Sequence, residues 1–455
     1  MFCPRRQTKG GMSNETPASG RPRVVTARRD QLEWRAFDLD SLVPPDHRVR
    51  LIWAAVEQLD SSAFYDEIAA RGSVPGRPAL DPKVLLALWL FATAEGVGSG
   101  RHLARLCERD HAYQWLCGGL RPNYHSLMDF RAEHGDKLDA LLTQLLASLM
   151  KARLVTLRRV AQDGTRVRAN AGAASFRRGS TLRERCLADA AEQVERLRRE
   201  LNEEPGASSA RELAAQQRAT RERHEAVQRA LAELPAVQAA HERKAKKKAR
   251  QKESRRKGAE TKGEGRVSTT DPEARVMKMG DGGFRPAFNV QFATDADARI
   301  IVGVDVTNEG TDSGQMLPMI EQIERRTGQR PNEYLVDGGY TKLDAIHAAE
   351  SAGTIVFAPV PTPRSDGVDA HARKRDDTDR TAAWRARMAT EHAMRIYRER
   401  AATAETVHAD LRTWRGLRQL PTRGRRKARA IALLMAITHN VLRVDVLKQG
   451  VPASV

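Results

Sequence analysis

Residues 333–342 read EYLVDGGYTK, and this decamer joins a short apolar run to a turn. Tyr334, Leu335 and Val336 have the composition of a buried strand, which is predicted to end at Asp337. Two glycines follow the aspartate, and Asp-Gly is a common turn sequence. The same arrangement puts a carboxylate at the end of a buried strand, a position suited to a metal ligand. The decamer by itself leaves both interpretations open.

The flanking sequence predicts further strands and helices. Residues 154–170 (LVTLRRVAQDGTRVRAN) alternate apolar and polar side chains, which predicts a strand ending near Asp163. Residues 284–294 and 299–306 are separated by a turn sequence and predict a β-hairpin. Asp312 is interpreted as the N-cap of a helix that runs to about residue 326. The remaining predictions are a helix at 341–352, a strand at 354–358, a proline- and arginine-rich loop at 359–387, a long helix at about 388–414 and an apolar helix at 428–442.

This order of elements predicts an α/β fold. A hairpin followed by alternating helices and strands gives a mixed sheet flanked by helices, and the order is that of the ribonuclease H-like fold. The first and fourth predicted strands then lie side by side at the centre of the sheet. Asp163 and Asp337 would therefore meet at one edge.

Changes in sequence pattern divide the chain into segments. Residues 29–150 are predicted to be helical, with Asp81-Pro82 opening a core helix over 83–95. Residues 172–270 form a helical, basic insertion whose second helix ends before Pro235. The insertion's first helix carries an apolar seam, Leu187, Ala190, Val194, Leu197 and Leu201. The complete division is a disordered N-terminus at 1–28, a helical domain at 29–150, a catalytic domain at 151–171 and 271–445, the insertion at 172–270 and a tail at 446–455.

The charge of the chain points to a polyanionic partner. The net charge is +19 over 455 residues, and two stretches, 243–266 and 412–429, carry most of it. Such clusters favour binding to nucleic acid over a merely soluble surface. The four cysteines show no metal-binding spacing, which argues against a structural zinc and fits a reducing cytoplasm. No transmembrane span or signal peptide is expected, and Met12 is an alternative start to Met1.

Two adjacent carboxylates repel each other unless a cation lies between them. Oxygen ligands of this kind suit Mg²⁺ or Mn²⁺, and two such ions need a third acid. The long helix near the C-terminus offers Glu391, Glu399 and Glu405. Glu405 is favoured because Arg412 follows two turns later on the same face, where a basic side chain could hold a DNA phosphate.

Several motifs resemble those of the DDE transposases of bacterial insertion sequences. They include GRPALDPKVLLALWLFA, VAQDGTRVRANA, GFRPAFNVQFATD, YLVDGGYTK and YRERAATAETVHADLR. The last motif is similar to the tyrosine-arginine-glutamate-lysine signature of one large group, with Arg412 in place of the lysine. The resemblance covers nearly all of residues 30–445. It implies Asp163, Asp337 and Glu405 as catalytic metal ligands and Tyr397, Arg400 and Arg412 as DNA contacts.

The resemblance implies a cytoplasmic, nucleoid-associated bacterial enzyme that cleaves the ends of its element and joins them to target DNA. Its expected partners are two Mg²⁺ or Mn²⁺ ions, double-stranded DNA and further copies of the chain. The alternatives are a nuclease of the same fold and a non-catalytic DNA-binding derivative. Asn289, Gln291, His439 and Asn440 are interpreted as packing groups. A basic cluster expected to contact DNA follows the signature helix, at Arg423, Arg425, Arg426 and Lys427.

Overall fold

The computed structural model describes residues 38–72, 78–186, 210–253, 264–363 and 367–449, together with Ala188, Glu192 and Glu195. The disorder predicted for 1–28 and the apolar seam beginning at Leu187 lie outside the described residues.

The helical segment at 48–151 is explained by its helix caps and by one helix that is apolar on all sides. Asp81 accepts a hydrogen bond from the backbone N–H of Lys83, and Pro82 occupies the first turn, which confirms the predicted helix start. The helix that follows is buried on all sides, including Trp89 and Phe91. The helices here are α1 (Arg48–Gln58), α2 (Ser62–Tyr65), α3 (Pro82–Ala94), α4 (Gly100–Arg109), α5 (His111–Cys117), α6 (Tyr124–Glu133) and α7 (Gly135–Lys151).

The strands form a mixed sheet in the order β4-β5-β1-β7-β8, and β6 also pairs with β5. β1 pairs antiparallel with β5 and parallel with β7, so the predicted adjacency of the first and fourth strands is confirmed. The predicted hairpin is β5 and β6. The strands are β1 (Arg159–Arg168), β2 (Phe176–Arg178), β3 (Arg266–Ser268), β4 (Arg275–Lys278), β5 (Phe284–Asp295), β6 (Ile301–Thr307), β7 (Glu333–Leu335) and β8 (Ile355–Phe357), with β2 and β3 forming a separate pair.

The predicted end of the first strand near Asp163 is wrong. β7 pairs with β1 only up to Ala161, but β5 continues to pair with it as far as Arg168. Asp163 therefore lies in the middle of β1, at the point where its parallel neighbour has ended. The last strands are shorter than predicted, and Asp337 lies two residues beyond the end of β7.

Three helix predictions also need correction. The insertion helix passes through Pro235, because Leu234 and Val237 pack beside Leu182 and Val267 and hold it in place. A further helix lies in the predicted loop 359–387, anchored by the buried Trp384. The long helix begins at Glu391, not near 388, and contains a π-turn. These helices are α8 (Gly179–Thr181, continued by the π-turn Leu182–Cys186), α9 (Ala210–Glu253), α10 (Met316–Thr327), α11 (Leu343–Ser351), α12 (Asp379–Met388), α13 (Glu391–Arg400), the π-turn Ala401–Glu405, α14 (Thr406–Thr413) and α15 (Arg425–Lys448).

The last helix, α15, packs against α3, α7 and β6. By length and composition it could span a membrane, but 61% of its apolar window is buried inside the protein, as expected of a core helix. The buried Asn440 side chain accepts a hydrogen bond from the N–H of Ile301 and donates one to its carbonyl, both at 2.8 Å. His439 contacts Asp410 and the carbonyl of Arg299. Both residues are therefore packing groups, as the sequence indicated.

Replacing Asn440 by alanine should leave the backbone N–H and C=O of Ile301 buried without these partners. Loss of such partners costs about 1–3 kcal/mol, and urea unfolding would measure it. Gln449→Ala is the matched control, because Gln449 is exposed and its side chain donates a hydrogen bond to Asp445 on the same helix. Equal unfolding free energies for the two variants would contradict the assigned role of Asn440.

Candidate active site

Asp163 is a mostly buried carboxylate in the middle of the sheet. Its side chain is 20% exposed, and its Oδ1 accepts a hydrogen bond from the N–H of Gly164 at 2.8 Å. Burial raises the pKa of Asp163 to about 6; the Gly164 N–H and Arg400 oppose this shift, whereas Asp337 and Asp312 add to it. Negative charge is therefore concentrated around this residue.

Asp337 lies beyond β7 and opens a tight turn. Its Oδ1 accepts a hydrogen bond from the N–H of Gly339 at 2.8 Å, so the turn interpretation is also correct. A Cβ at Gly339 would lie 2.9 Å from this oxygen, which is closer than real Cβ atoms approach. A Cβ at Gly338 would make an ordinary 3.5 Å contact with Pro359. The second glycine is therefore the one that leaves room beside the carboxylate.

The helix opposite the sheet brings Glu405 to the same site. Nη1 of Arg400 lies 3.6 Å from Oδ2 of Asp163, and its Nη2 lies 3.7 Å from Oε1 of Glu405. Arg400 and Glu405 are five residues apart and bracket the π-turn Ala401–Glu405. Because a π-turn closes its hydrogen bond between residues i and i+5, it places these two side chains on one face.

His408 completes this face of the helix. Its Nδ1 lies 3.9 Å from Oδ2 of Asp163. Burial, reinforced by Arg412 and Arg400, lowers the pKa of His408 to about 4, so its imidazole is neutral at pH 7. No motif in the sequence singled out this histidine.

These side chains open into a cleft of about 680 Å³. Arg412 and Arg418 supply positive charge at the cleft, and Glu405 is largely exposed to it. Tyr397 lies behind Arg400, with the guanidinium carbon 5.9 Å from the ring centre. The lining residues are Asp163, Gly164, Thr165, Glu405, His408, Ala409, Arg412, Thr413 and Arg418.

Glu399, the rival to Glu405 in sequence, has another partner. It forms an ion pair with the nearly buried Arg159, which also contacts Glu333 at 2.6 Å. Glu391 lies in the exposed first turn of α13. Of the three glutamates considered, Glu405 is the one that lines the cleft.

The basic cluster after the signature helix lies at the start of α15. The backbone N–H of Arg425 donates to Glu273 at 2.9 Å, and the Arg426 side chain donates to the carbonyl of Glu133. Within the described chain, this cluster is not among the residues that line the cleft. Its members Arg423, Arg425, Arg426 and Lys427 are all exposed.

Asp312 is a mostly buried acid near the site whose role the sequence did not indicate. The N-cap interpretation is wrong, because α10 begins at Met316 after Gln315 and has no side-chain cap. Instead, Oδ1 of Asp312 accepts hydrogen bonds from the side-chain amides of Asn289 and Gln291, both at 2.7 Å. The available signal was the pair of amides at alternate positions of a buried strand, which therefore face the same side of the sheet.

The donor set suits a hard divalent cation by its chemistry, since it is rich in carboxylate oxygens. The spacing does not yet form a closed cage: among the described residues, no three His, Cys, Asp or Glu side chains lie close enough together to hold a metal ion. Arg400 stands between Asp163 and Glu405. Asp163 and Glu405 thus share one cleft, but Arg400 keeps their carboxylates apart.

Sequence models of two families match parts of the chain. The family described as "Transposase domain (DUF772)" matches residues 37–133, and the one described as "Transposase DDE domain" matches residues 255–441. The second range contains Asp312, Asp337 and Glu405, whereas Asp163 lies outside both ranges. No match was found among curated proteins or solved structures. The two family matches support a DDE transposase.

Gly164→Ala should displace Gln291 and Asp312, the two side chains that pack most closely against this glycine. The added Cβ would lie 2.1 Å from Nε2 of Gln291 and 2.3 Å from Oδ1 of Asp312, so both side chains must move. Overpacking of this kind costs about 1–3 kcal/mol of unfolding free energy. In contrast, Gly172→Ala meets nothing within 4 Å and should be close to neutral in the same denaturant titration. A Gly164→Ala variant as stable as Gly172→Ala would refute the close approach.

The raised pKa of Asp163 predicts how the free energy of unfolding changes with pH. The folded pKa of about 6 exceeds the ordinary 3.8, so ionising this carboxyl destabilises the fold above about pH 6 and has no effect below about pH 4. Asp163→Asn should therefore be more stable than the unchanged chain at pH 8, by about 1–3 kcal/mol, and equal to it near pH 4. Urea unfolding at both pH values, without divalent metal, measures this.

Asp136→Asn is the charge-matched control for that experiment. Asp136 is exposed in the first turn of α7, and its substitution should change stability by less than about 0.5 kcal/mol at either pH. A stability difference for Asp163→Asn that was the same at pH 4 and pH 8 would show that charge burial is not its cause.

Proposed function

We propose that this chain is a DDE transposase that binds the ends of its insertion sequence, cleaves them and transfers the 3′-hydroxyl ends to target DNA. The observation that carries the proposal is a basic cleft lined by Asp163 and Glu405, both of which are ion-paired to Arg400, with Asp337 two residues beyond the adjoining parallel strand β7. The strand order β6-β5-β1-β7-β8, antiparallel and then parallel, supports a ribonuclease H-like assignment.

Asp163, Asp337 and Glu405 would hold the divalent cations, two Mg²⁺ or Mn²⁺ ions. When bound, such ions lower the pKa of an attacking hydroxyl or water and stabilise the leaving oxygen. The chain's own residues fix where this happens. β1 holds Asp163 within the sheet, the turn after β7 holds Asp337, and burial of Asp163 keeps water from screening its charge.

Arg400 holds the third acid in place. Its guanidinium lies within 4 Å of both Asp163 and Glu405, so it partly neutralises the two carboxylates. The ring of Tyr397 lies behind it and limits its movement. Beside a DNA phosphate, the same guanidinium is available for a charged hydrogen bond, as is that of Arg412 along the cleft.

The basic surface would bind the DNA backbone. Arg412 and Arg418 lie in the cleft, and Arg423, Arg425, Arg426 and Lys427 extend the charge to the start of α15. Contacts of this type add affinity for any duplex and weaken with salt. The expected partners are the terminal inverted repeats, the target duplex and further copies of this chain, in the bacterial cytoplasm at the nucleoid.

Two other functions share the same residues. A nuclease of this fold would cleave without joining, and a non-catalytic derivative would bind DNA without cleaving it. The presence of all three acids favours an active enzyme over the derivative. Strand transfer separates the transposase from the nuclease.

Asp337→Asn should abolish cleavage and preserve binding. The substitution removes a carboxylate charge but keeps the shape of the turn, so cleavage of a duplex carrying the element's ends should fall at least about 100-fold. Binding to the same duplex, followed by gel shift, should stay within about threefold, since the basic residues are untouched. Asp136→Asn controls for the loss of one negative charge.

Cleavage by Asp337→Asn at the original rate in Mg²⁺ would overturn the assignment of this acid. A second assay supplies ends that are already cut, with a free 3′-hydroxyl. Joined product is expected with the unchanged chain and not with Asp337→Asn. Robust cleavage with no joined product would favour the nuclease.

A further inference from the structure

Trp414 is the exposed tryptophan of the described chain. Its relative exposure is 69%, whereas Trp89 and Trp384 are buried at 1% and 0%. Trp53 and Trp115 are partly buried and lie edge to face, with ring centres 6.5 Å apart. Within the described residues, the Trp414 side chain forms no hydrogen bond, ring pair or cation–π contact. A large, flat apolar surface is therefore left in water.

The backbone that carries Trp414 is fixed from several sides. Its N–H donates to the carbonyl of Asp410 at 2.9 Å, at the end of α14. Its own carbonyl oxygen would lie 2.7 Å from a Cβ at Gly96, so the two backbones are in close contact. The buried Leu417 donates its N–H to the carbonyl of Leu411, also at 2.9 Å. The indole thus projects from a rigid turn, and a ligand that binds it need not order the backbone first.

Arg415, the next residue, ties the same turn to the helical segment. Its Nη1 donates to the carbonyl of Ala94 at the end of α3, at 2.5 Å. Its Nη2 lies 3.3 Å from Oδ1 of Asp410. The Arg415 side chain is only 12% exposed, so this guanidinium is used within the protein. The indole beside it is not.

Trp414 lies at the margin of the cleft. Arg412 and Thr413, which line the cleft, directly precede it, and Arg418, which also lines it, follows four residues later. Nε of Arg418 donates to the carbonyl of Arg412 at 3.2 Å, so the two ends of the turn are close together. Both arginines are exposed. The margin of the cleft is therefore both aromatic and basic.

A nucleic acid matches this combination. Guanidinium groups bind backbone phosphates, and a flat aromatic side chain stacks on a base of any identity. An apolar ligand would use the indole but leave the two arginines without a partner. In an intact duplex, neighbouring base pairs cover both faces of every base. The indole can therefore stack only where a duplex ends or where a base has left the helix.

We propose that Trp414 stacks on the terminal base of a DNA end held in the cleft. The inference rests on the proposed function, because cleavage creates such an end beside Asp163 and Glu405. It adds a contact to a base, whereas the arginines of the cleft contact phosphates. The stacked base would make the chain hold a cut end more tightly than uninterrupted duplex. The freed 3′-hydroxyl would then stay near the acids until it is joined.

Two DNA probes test this inference: a short blunt duplex, and the same duplex closed at both ends by hairpin loops. They differ in whether the terminal base pair has an open face. Binding of the full chain is followed by fluorescence anisotropy without divalent metal, so that no cleavage occurs. The unchanged chain should prefer the blunt duplex. Trp414→Ala should lose about tenfold in affinity for the blunt duplex and little for the closed one.

Two variants control for this result. Trp414→Phe keeps a ring and should retain most of the preference for the blunt duplex. Phe284→Ala removes an aromatic side chain that is equally exposed, at 68%, at the start of β5 and outside the cleft lining, and it should bind both probes as the unchanged chain does. The urea midpoint of Trp414→Ala should be unchanged, because the indole is exposed. A loss of binding would then not reflect unfolding.

Photochemical cross-linking tests the contact directly. With 5-iodouracil as the terminal base of the blunt duplex, ultraviolet light should cross-link the DNA to Trp414, as located by mass spectrometry. The cross-link should be absent when the same base is placed in the middle of the duplex. Cross-linking of equal yield from both positions would contradict stacking at the end.

The outcomes separate this inference from the proposed function. If Trp414→Ala keeps the preference for blunt DNA while Asp337→Asn has lost cleavage, the stacking inference fails and the proposed function stands. Equal loss of affinity for both probes would place the indole against the DNA groove or backbone and overturn the inference. A changed oligomeric state with an unchanged end preference would assign Trp414 to a contact between copies and also overturn it. If the unchanged chain binds neither probe, both proposals fail.

Discussion

The active-site geometry depends on a chain of buried amides that crosses the sheet. Gln162 on β1 accepts a hydrogen bond from Tyr334 on β7 and donates one to Gln291 on β5, which donates to Asp312. Each polar group is removed from water, so each must keep its partner or cost free energy. The register of three strands and the position of Asp312 are therefore set by the same bonds, one residue away from Asp163.

This network also explains how buried negative charge is tolerated near the site. A sheet that carried apolar side chains here could not hold Asp312, because a buried carboxylate needs donors. With the amides in place, three aspartates come within electrostatic reach of each other, and burial adds to their repulsion at Asp163. The ionised form of Asp163 therefore costs stability, as is common at functional sites, and a bound cation would restore that stability.

The sequence predicted the parts of the site that follow from topology. General rules of sheet order place the first and fourth strands side by side, and this brings Asp163 and the turn that carries Asp337 to neighbouring strands. It did not predict Asp312, because an aspartate before a helix has the same sequence signature as an N-cap. Only the amides of Asn289 and Gln291, which reach it from a neighbouring strand, distinguish the two roles. The extension of β1 past Asp163 was missed for a similar reason, since it depends on β5 as a partner.

The π-turn shows how one local irregularity joins two groups of residues. Along an ordinary α-helix, residues three or four apart share a face, and residues five apart do not. Glu405, His408 and Arg412 follow that spacing, but Arg400 and Glu405 do not. Because the π-turn Ala401–Glu405 widens one turn of the helix, Arg400 is rotated onto the face of the other three. The same helix can therefore place a guanidinium against Asp163 and Glu405 while Arg412 lines the cleft two turns away. A regular helix of the same sequence would keep Glu405 in the cleft and turn Arg400 away from both carboxylates.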